Sequence, residues 1–125
     1  ILIGELDNWT PAKACEEYVQ NLKDLNYDVN ITVYDNSHHS FDSQSSIEIA
    51  EHGYSLTDCM FDLRSDGAVL MNFLGIPMLS PVFQKISLAF CAKRGPTFGG
   101  NPIARKKAFD FSKSFMKKNL LELNN

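Results

Sequence analysis

Apolar residues recur at helical spacing at Cys15, Tyr18, Val19, Leu22 and Leu25, while Lys13, Glu16, Glu17, Lys23 and Asp24 fall outside that stripe. The spacing predicts an amphipathic helix lying on an apolar layer, with Thr10 as N-cap, Pro11 in the first turn and an end near Asn26. Cys15 on the stripe reads as a small buried hydrophobe. Before the helix, Ile1-Leu2-Ile3 bounded by Gly4 reads as a buried strand. After it, Val29, Ile31 and Val33 alternate with Asn30, Thr32 and Tyr34, which predicts a second strand over about 29–34. Strand, helix and strand in so few residues form a βαβ unit with parallel strands and a right-handed crossover. At the other end, Asn101 caps and Pro102 begins a long terminal helix whose buried face is Ala104, Ala108, Phe111, Phe115 and Met116. Lys106, Lys107, Lys113, Lys117 and Lys118 are mostly its solvated side. The fold class is α/β: a parallel βαβ unit plus a terminal helix, with a long excursion between them.

That excursion, 42–100, has weaker periodicity. Phe61-Asp62-Leu63-Arg64 and Ala68-Val69-Leu70-Met71 flank Ser65-Asp66-Gly67, a hairpin signal. Gly and Pro mark loops over Asn72 to Pro81 and Lys93 to Pro102, and Gln84 to Ala92 is a short helix candidate. Such a segment is expected to cover one face or one mouth of the protein, in the manner of an insertion or lid.

A net charge of −3 without a dense basic run argues against nucleic-acid binding through phosphate contacts. No run approaches the roughly 20 apolar residues of a membrane span, so no membrane partner is expected. The chain opens on an apolar strand without an initiator Met, and such a strand needs sheet neighbours. The expectation is a C-terminal piece of a longer protein, whose open strand edge is covered by the N-terminal half or by a second copy. Cys15, Cys59 and Cys91 show no metal-ligand spacing, and Asp58, Asp62 and Asp66 do not make a calcium loop. Cys59 and Cys91 bracket the middle segment and could pair, which would indicate an oxidising compartment.

In an open parallel sheet, reactive groups gather beyond the carboxyl ends of the strands. Two polar loops belong there: Gly4-Glu5-Leu6-Asp7-Asn8-Trp9-Thr10-Pro11, and Asp35-Asn36-Ser37-His38-His39-Ser40-Phe41-Asp42. Both leave the same sheet edge, so Asp7 and His39 can meet although 32 positions separate them. A histidine working as general base needs its other ring nitrogen held by a carboxylate, which fixes the tautomer and stabilises the imidazolium. An Asp before Thr-Pro can equally be a turn former, and a His pair can be surface decoration. Trp9 either lines a substrate pocket or packs in the core. Glu5 and Asp42 read as solvated loop carboxylates.

The motif Gly4-Glu5-Leu6-Asp7-Asn8-Trp9-Thr10-Pro11, followed by His39-Ser40-Phe41-Asp42, closely resembles the C-terminal part of the dienelactone hydrolase family, of the α/β-hydrolase fold. The resemblance implies that Asp7, in a G-x-x-D-x-x-x-P loop, is the acid of a catalytic triad and that His39, in an H-x-F segment, is its base. The helix from Asn101 resembles the family's last helix, and 42–100 resembles an extension carried by longer relatives. The family's nucleophile, a Cys or Ser on a G-x-[CS]-x-G elbow, precedes the acid in chain order. No such elbow occurs here: Gly99-Gly100 is not one, and Cys59 and Cys91 follow the histidine.

The implied activity is hydrolysis of an ester, lactone or thioester, with Asp7 and His39 supplied by this part of the chain, Trp9 as a substrate-binding candidate, and no metal or organic cofactor. On that reading these 125 residues are inactive alone. His38, one position earlier, is the rival base. The alternative function is a non-catalytic α/β-hydrolase-like binding or interaction module. A redox role for Cys59 and Cys91 is weaker, because Cys59 lacks basic neighbours in sequence.

Overall fold

β1 (Leu2–Gly4) and β2 (Thr32–Tyr34) lie side by side in parallel, joined through α1 (Ala12–Asp24), with Leu2 opposite Thr32 and Gly4 opposite Tyr34. The computed structural model describes residues 1–70 and 75–121. Met71, expected in a strand, and Asn72 to Leu74 of the expected loop lie outside the described residues.

α1 begins later than the sequence suggests. Its N-cap is Pro11, extended and without a side-chain cap bond since proline has no side-chain acceptor, while Thr10 lies one residue before it with its N–H held by Asp7. Its other end follows from hydrogen-bond geometry. Asn26 adopts φ 64°, its N–H donates to the Lys23 carbonyl (2.8 Å), and Tyr27 N–H donates to the Leu22 carbonyl (3.0 Å). This is a Schellman cap, in which a left-handed residue satisfies the last carbonyls. Val19 is buried and Cys15 and Leu22 are half-buried, but Tyr18 and Leu25 are exposed, so the apolar stripe is narrower than expected.

β2 is also shorter than 29–34. Val29 N–H turns back to the Tyr27 carbonyl, and contact with the first strand begins at Asn30, whose carbonyl accepts from the Ile1 amino group (2.6 Å), followed by Thr32 N–H on the Ile1 carbonyl (2.9 Å). Tyr34, on the nominally polar side of the alternation, is buried. It joins Phe41, Ala104 and Ala108 in the core with Leu2 packed against them, and the Tyr34 and Phe41 rings sit 5.0 Å apart. Burying a side chain such as Phe41 is worth about 1.5–3 kcal/mol.

α3 (Pro102–Met116) is capped as expected, Asn101 Oδ1 accepting from Ile103 and Ala104 N–H. Its buried face stops after two turns. Ala104 and Ala108 are buried, whereas Phe111, Phe115 and Met116 are 48, 57 and 58% exposed, a correction to the expected face. Only the first half of the helix lies over the Tyr34–Phe41 layer. The helix runs on into a π-wound turn, Lys117–Leu121.

The chain divides into two compact units, Ile1–Ile49 with Thr97–Asn125, and Ala50–Pro96. The separate part of the excursion is therefore narrower than 42–100. Its flanks belong to the first unit, where β3 (Glu48–Ile49) pairs antiparallel with β8 (Thr97–Phe98). In the second unit, β4 (Tyr54–Ser55) pairs antiparallel with β7 (Lys93–Arg94). There β5 (Asp62–Leu63) and β6 (Val69–Leu70) form the expected hairpin, with Gly67 at φ 84°. The expected 84–92 helix is α2 (Pro81–Ala89); it starts earlier because Ser80 Oγ accepts from Phe83 N–H and Pro81 opens the first turn. The expected loop over 93–102 instead contains β7, β8 and the start of α3. Cys59 and Cys91 form a disulfide, and Cys15 is a free thiol.

Candidate functional site

The site starts from the ladder that β1 and β2 hand on to their loops. Glu5 N–H donates to the Tyr34 carbonyl (3.0 Å) and Leu6 N–H to the Ser37 carbonyl (2.9 Å), so the two loops leave the strands side by side. Asp7 then folds back on its own loop. Its Oδ1 accepts from Trp9 N–H (2.9 Å) and Thr10 N–H (2.7 Å), the local pattern that Asp favours in turns. The turn-forming and acid readings of Asp7 thus hold together: the turn fixes one carboxylate oxygen and aims the other. Oδ2 lies 2.9 Å from His39 Nδ1.

The Asp7 side chain is 7% exposed and that of His39 is 36% exposed. A buried carboxylate is costly unless hydrogen-bonded, and three donors meet this one. An ionised carboxylate only accepts, so His39 Nδ1 is the donor in this contact, and in the neutral imidazole Nε2 is then the nitrogen with the lone pair. The tautomer follows from the partner, and it is the one a general base requires.

His39 is fixed by its backbone as well. Its carbonyl accepts from Gly99 N–H (2.9 Å), and it bridges Phe98 in parallel. Ser40 adopts φ 56°, a left-handed conformation that costs a non-glycine residue on the order of 1 kcal/mol. Phe41 beyond it anchors the segment in the core. The Trp9 ring packs on the imidazole, centroids 5.0 Å apart and planes tilted by 50°. It is partly exposed, so Trp9 is neither a core residue nor remote from the pair.

The rival base has a different partner. His38 Nδ1 lies 2.8 Å from Thr97 Oγ1, and only His39 meets Asp7. Glu5 is more than a solvated carboxylate: its Oε2 accepts from the N–H of Asn36, itself left-handed at φ 51°. Asp42 stays exposed, and its carbonyl accepts from Arg105 Nε.

Two contributors escaped the sequence reading. Ser37, fully buried, donates from Oγ to the Asp35 carbonyl and accepts from Asn101 Nδ2 (3.0 Å). Asn101 also donates to the carbonyls of Asp35 and Asn36, so one side chain caps α3 and ties the base loop to it. The Asn-Pro pair signals the cap, but nothing in sequence signals the second task.

A cleft of about 830 Å³ adjoins the pair, with Ile3, Gly4, Asp7, His39 and Ser40 along it and Phe109 and Ser112 of α3 opposite. Trp9 stands outside that lining. Beneath the loops, burial pushes the Tyr34 phenol above its ordinary pKa. Among the described residues, no group of three or more His, Cys, Asp and Glu side chains could hold a metal ion, and no helix is long and apolar enough to cross a membrane. No family model, curated protein or solved structure matches the chain.

Proposed function

We propose that this chain supplies the acid and base of a hydrolase acting on ester, lactone or thioester bonds, as its resemblance to the C-terminal part of the dienelactone hydrolase family within the α/β-hydrolase fold implies. The observation that carries the reading is the 2.9 Å contact of Asp7 Oδ2 with His39 Nδ1 beside an open cleft. His39 Nε2 takes the proton of a serine or cysteine nucleophile as that group attacks the carbonyl carbon. The imidazolium, stabilised by Asp7, then gives that proton to the departing alkoxide or thiolate. In the second half-reaction Nε2 takes a proton from water, whose oxygen attacks the acyl carbon; the bond from that carbon to the serine or cysteine breaks, Nε2 returns the proton to that leaving group, and the acid departs.

On this reading the nucleophile comes from outside these 125 residues, which contain no elbow motif. On the same reading the N-terminal half of a longer polypeptide is the partner that brings it, and Trp9, packed on the imidazole though outside the cleft lining, is the substrate-binding candidate. The experiment is hydrolysis of an aryl ester and a lactone by the longer polypeptide. Asp7→Asn and His39→Ala are each expected to lower kcat by about 10⁴ with the fold retained. Unchanged hydrolysis in either variant overturns the assignment. The lack of a nucleophile motif here also suits a binding module that has lost its chemistry. A Gly or Ala at the elbow of the longer chain would favour that second reading.

A further inference from the structure

We propose that Thr97 is a positioning residue for the acid–base pair, clamping Asn8 to His38, the chain neighbours of Asp7 and His39. The inference rests on the reading above in one respect, that the Asp7–His39 contact is the functional one. Asn8 Oδ1 accepts from Thr97 N–H (2.8 Å) and from Thr97 Oγ1 (3.2 Å). The backbone N–H can only donate, so the amide oxygen faces Thr97, and the hydroxyl must donate to it as well. His38 Nδ1, 2.8 Å from the same hydroxyl, is then the donor to Oγ1. One threonine thus joins groups 89 and 59 positions away in the chain.

On the acid loop, Leu6 is bonded to Ser37 and Asn8 to Thr97, so Asp7 is bracketed by a tie on either side. On the base loop, His38 is held by Thr97 while Gly99 N–H, two residues further along, holds the His39 carbonyl. The segment from Thr97 to Gly99 is therefore bonded to both loops that carry the pair. Its hydroxyl spans from one loop to the other without touching either reacting side chain.

The experiment is ¹⁵N NMR of the His39 ring in the 125-residue chain, reading the ratio of Nδ1–H to Nε2–H tautomers. Losing the hydroxyl removes its bonds to Asn8 Oδ1 and His38 Nδ1, leaving the Thr97 N–H on Asn8 but no side-chain tie to His38, so Thr97→Val is expected to lower the ratio roughly five-fold. Thr97→Ser, which keeps the hydroxyl, is expected to restore it. A merely structural threonine would change the melting temperature and leave the ratio alone. Asp7→Asn separates this proposal from its premise, because the amide N–H₂ facing Nδ1 inverts the tautomer if the pair is real. A ratio that responds to Asp7→Asn but not to Thr97→Val overturns the role of Thr97 alone. One that ignores Asp7→Asn overturns both. If Thr97→Val does not fold, His38→Ala removes the same bond from its other end, and an unchanged ratio there overturns the proposal.

Discussion

Gly4 passes so close to Ser37 that a Cβ on the glycine would lie 2.2 Å from the Ser37 carbonyl oxygen. The obstacle is backbone and cannot swing aside. That carbonyl also accepts the Leu6 N–H that aligns the two loops. Gly4→Ala must therefore push the base loop away from the acid loop. The variant is expected to lose about 2–3 kcal/mol in chemical denaturation and to lengthen the Asp7–His39 contact. Wild-type stability in Gly4→Ala would refute the close approach.

Asn101 joins two functions that substitution can separate. Asn101→Ala removes the cap and the two amide N–H groups that the base loop's acceptors share, and should cost about 1–2 kcal/mol or more. Asn101→Asp keeps an acceptor for Ile103 and Ala104 N–H but turns an oxygen toward the carbonyls of Asp35 and Asn36. Its expected signature is normal amide-exchange protection in α3 with increased exchange over 35–39. Equal loss in both segments would mean that the cap alone matters.

Tyr34 gives a pH dependence with a definite sign. Its pKa is raised above 10.0 by burial, so the folded chain keeps a proton that the unfolded chain releases. The associated stability is fully present below about pH 10 and is lost as pH rises through the folded value. Melting temperatures between about pH 9 and pH 11.5 should fall more steeply for the wild type than for Tyr34→Phe. Parallel slopes would show that Tyr34 titrates as it does in the unfolded chain.

The Cys59–Cys91 bond closes a span of 32 positions in the second unit. On a chain-entropy basis such a closure stabilises by about 3–4 kcal/mol. Replacing both cysteines with serine should sharply increase amide exchange in α2 while leaving α1 and the His39 ring signals unchanged. Loss of protection in α1 to the same degree would mean that the two units unfold together.

The βαβ unit was legible because its signals are local: a helical stripe, an alternating strand and a run bounded by glycine. Its limits were less so. Asp7 claims the N–H groups of Trp9 and Thr10, and α1 starts later than Thr-Pro suggests. The acid and base could be named from loop placement and family resemblance, but Asn8 and Thr97 could not, since no spacing rule links positions 89 apart. Strands of two residues, such as β3, β4, β7 and β8, are too short to carry periodicity. The apolar stripe of α3 was visible, yet burial depends on what lies opposite. Ala104 and Ala108 meet Tyr34 and Phe41, and Phe111 and Phe115 stack on one another at 6.2 Å instead.

Ile49 and Thr97 are partners on one rung of the β3–β8 ladder, so the polypeptide leaves and rejoins the first unit at a single point. In chain order, 50–96 is an insertion between those two partners. A tight Asn-Gly turn spliced between those two residues would close the same rung and yield a trimmed scaffold. The seam also accepts grafting, because a foreign domain with adjacent termini could hang there without lengthening any other connection.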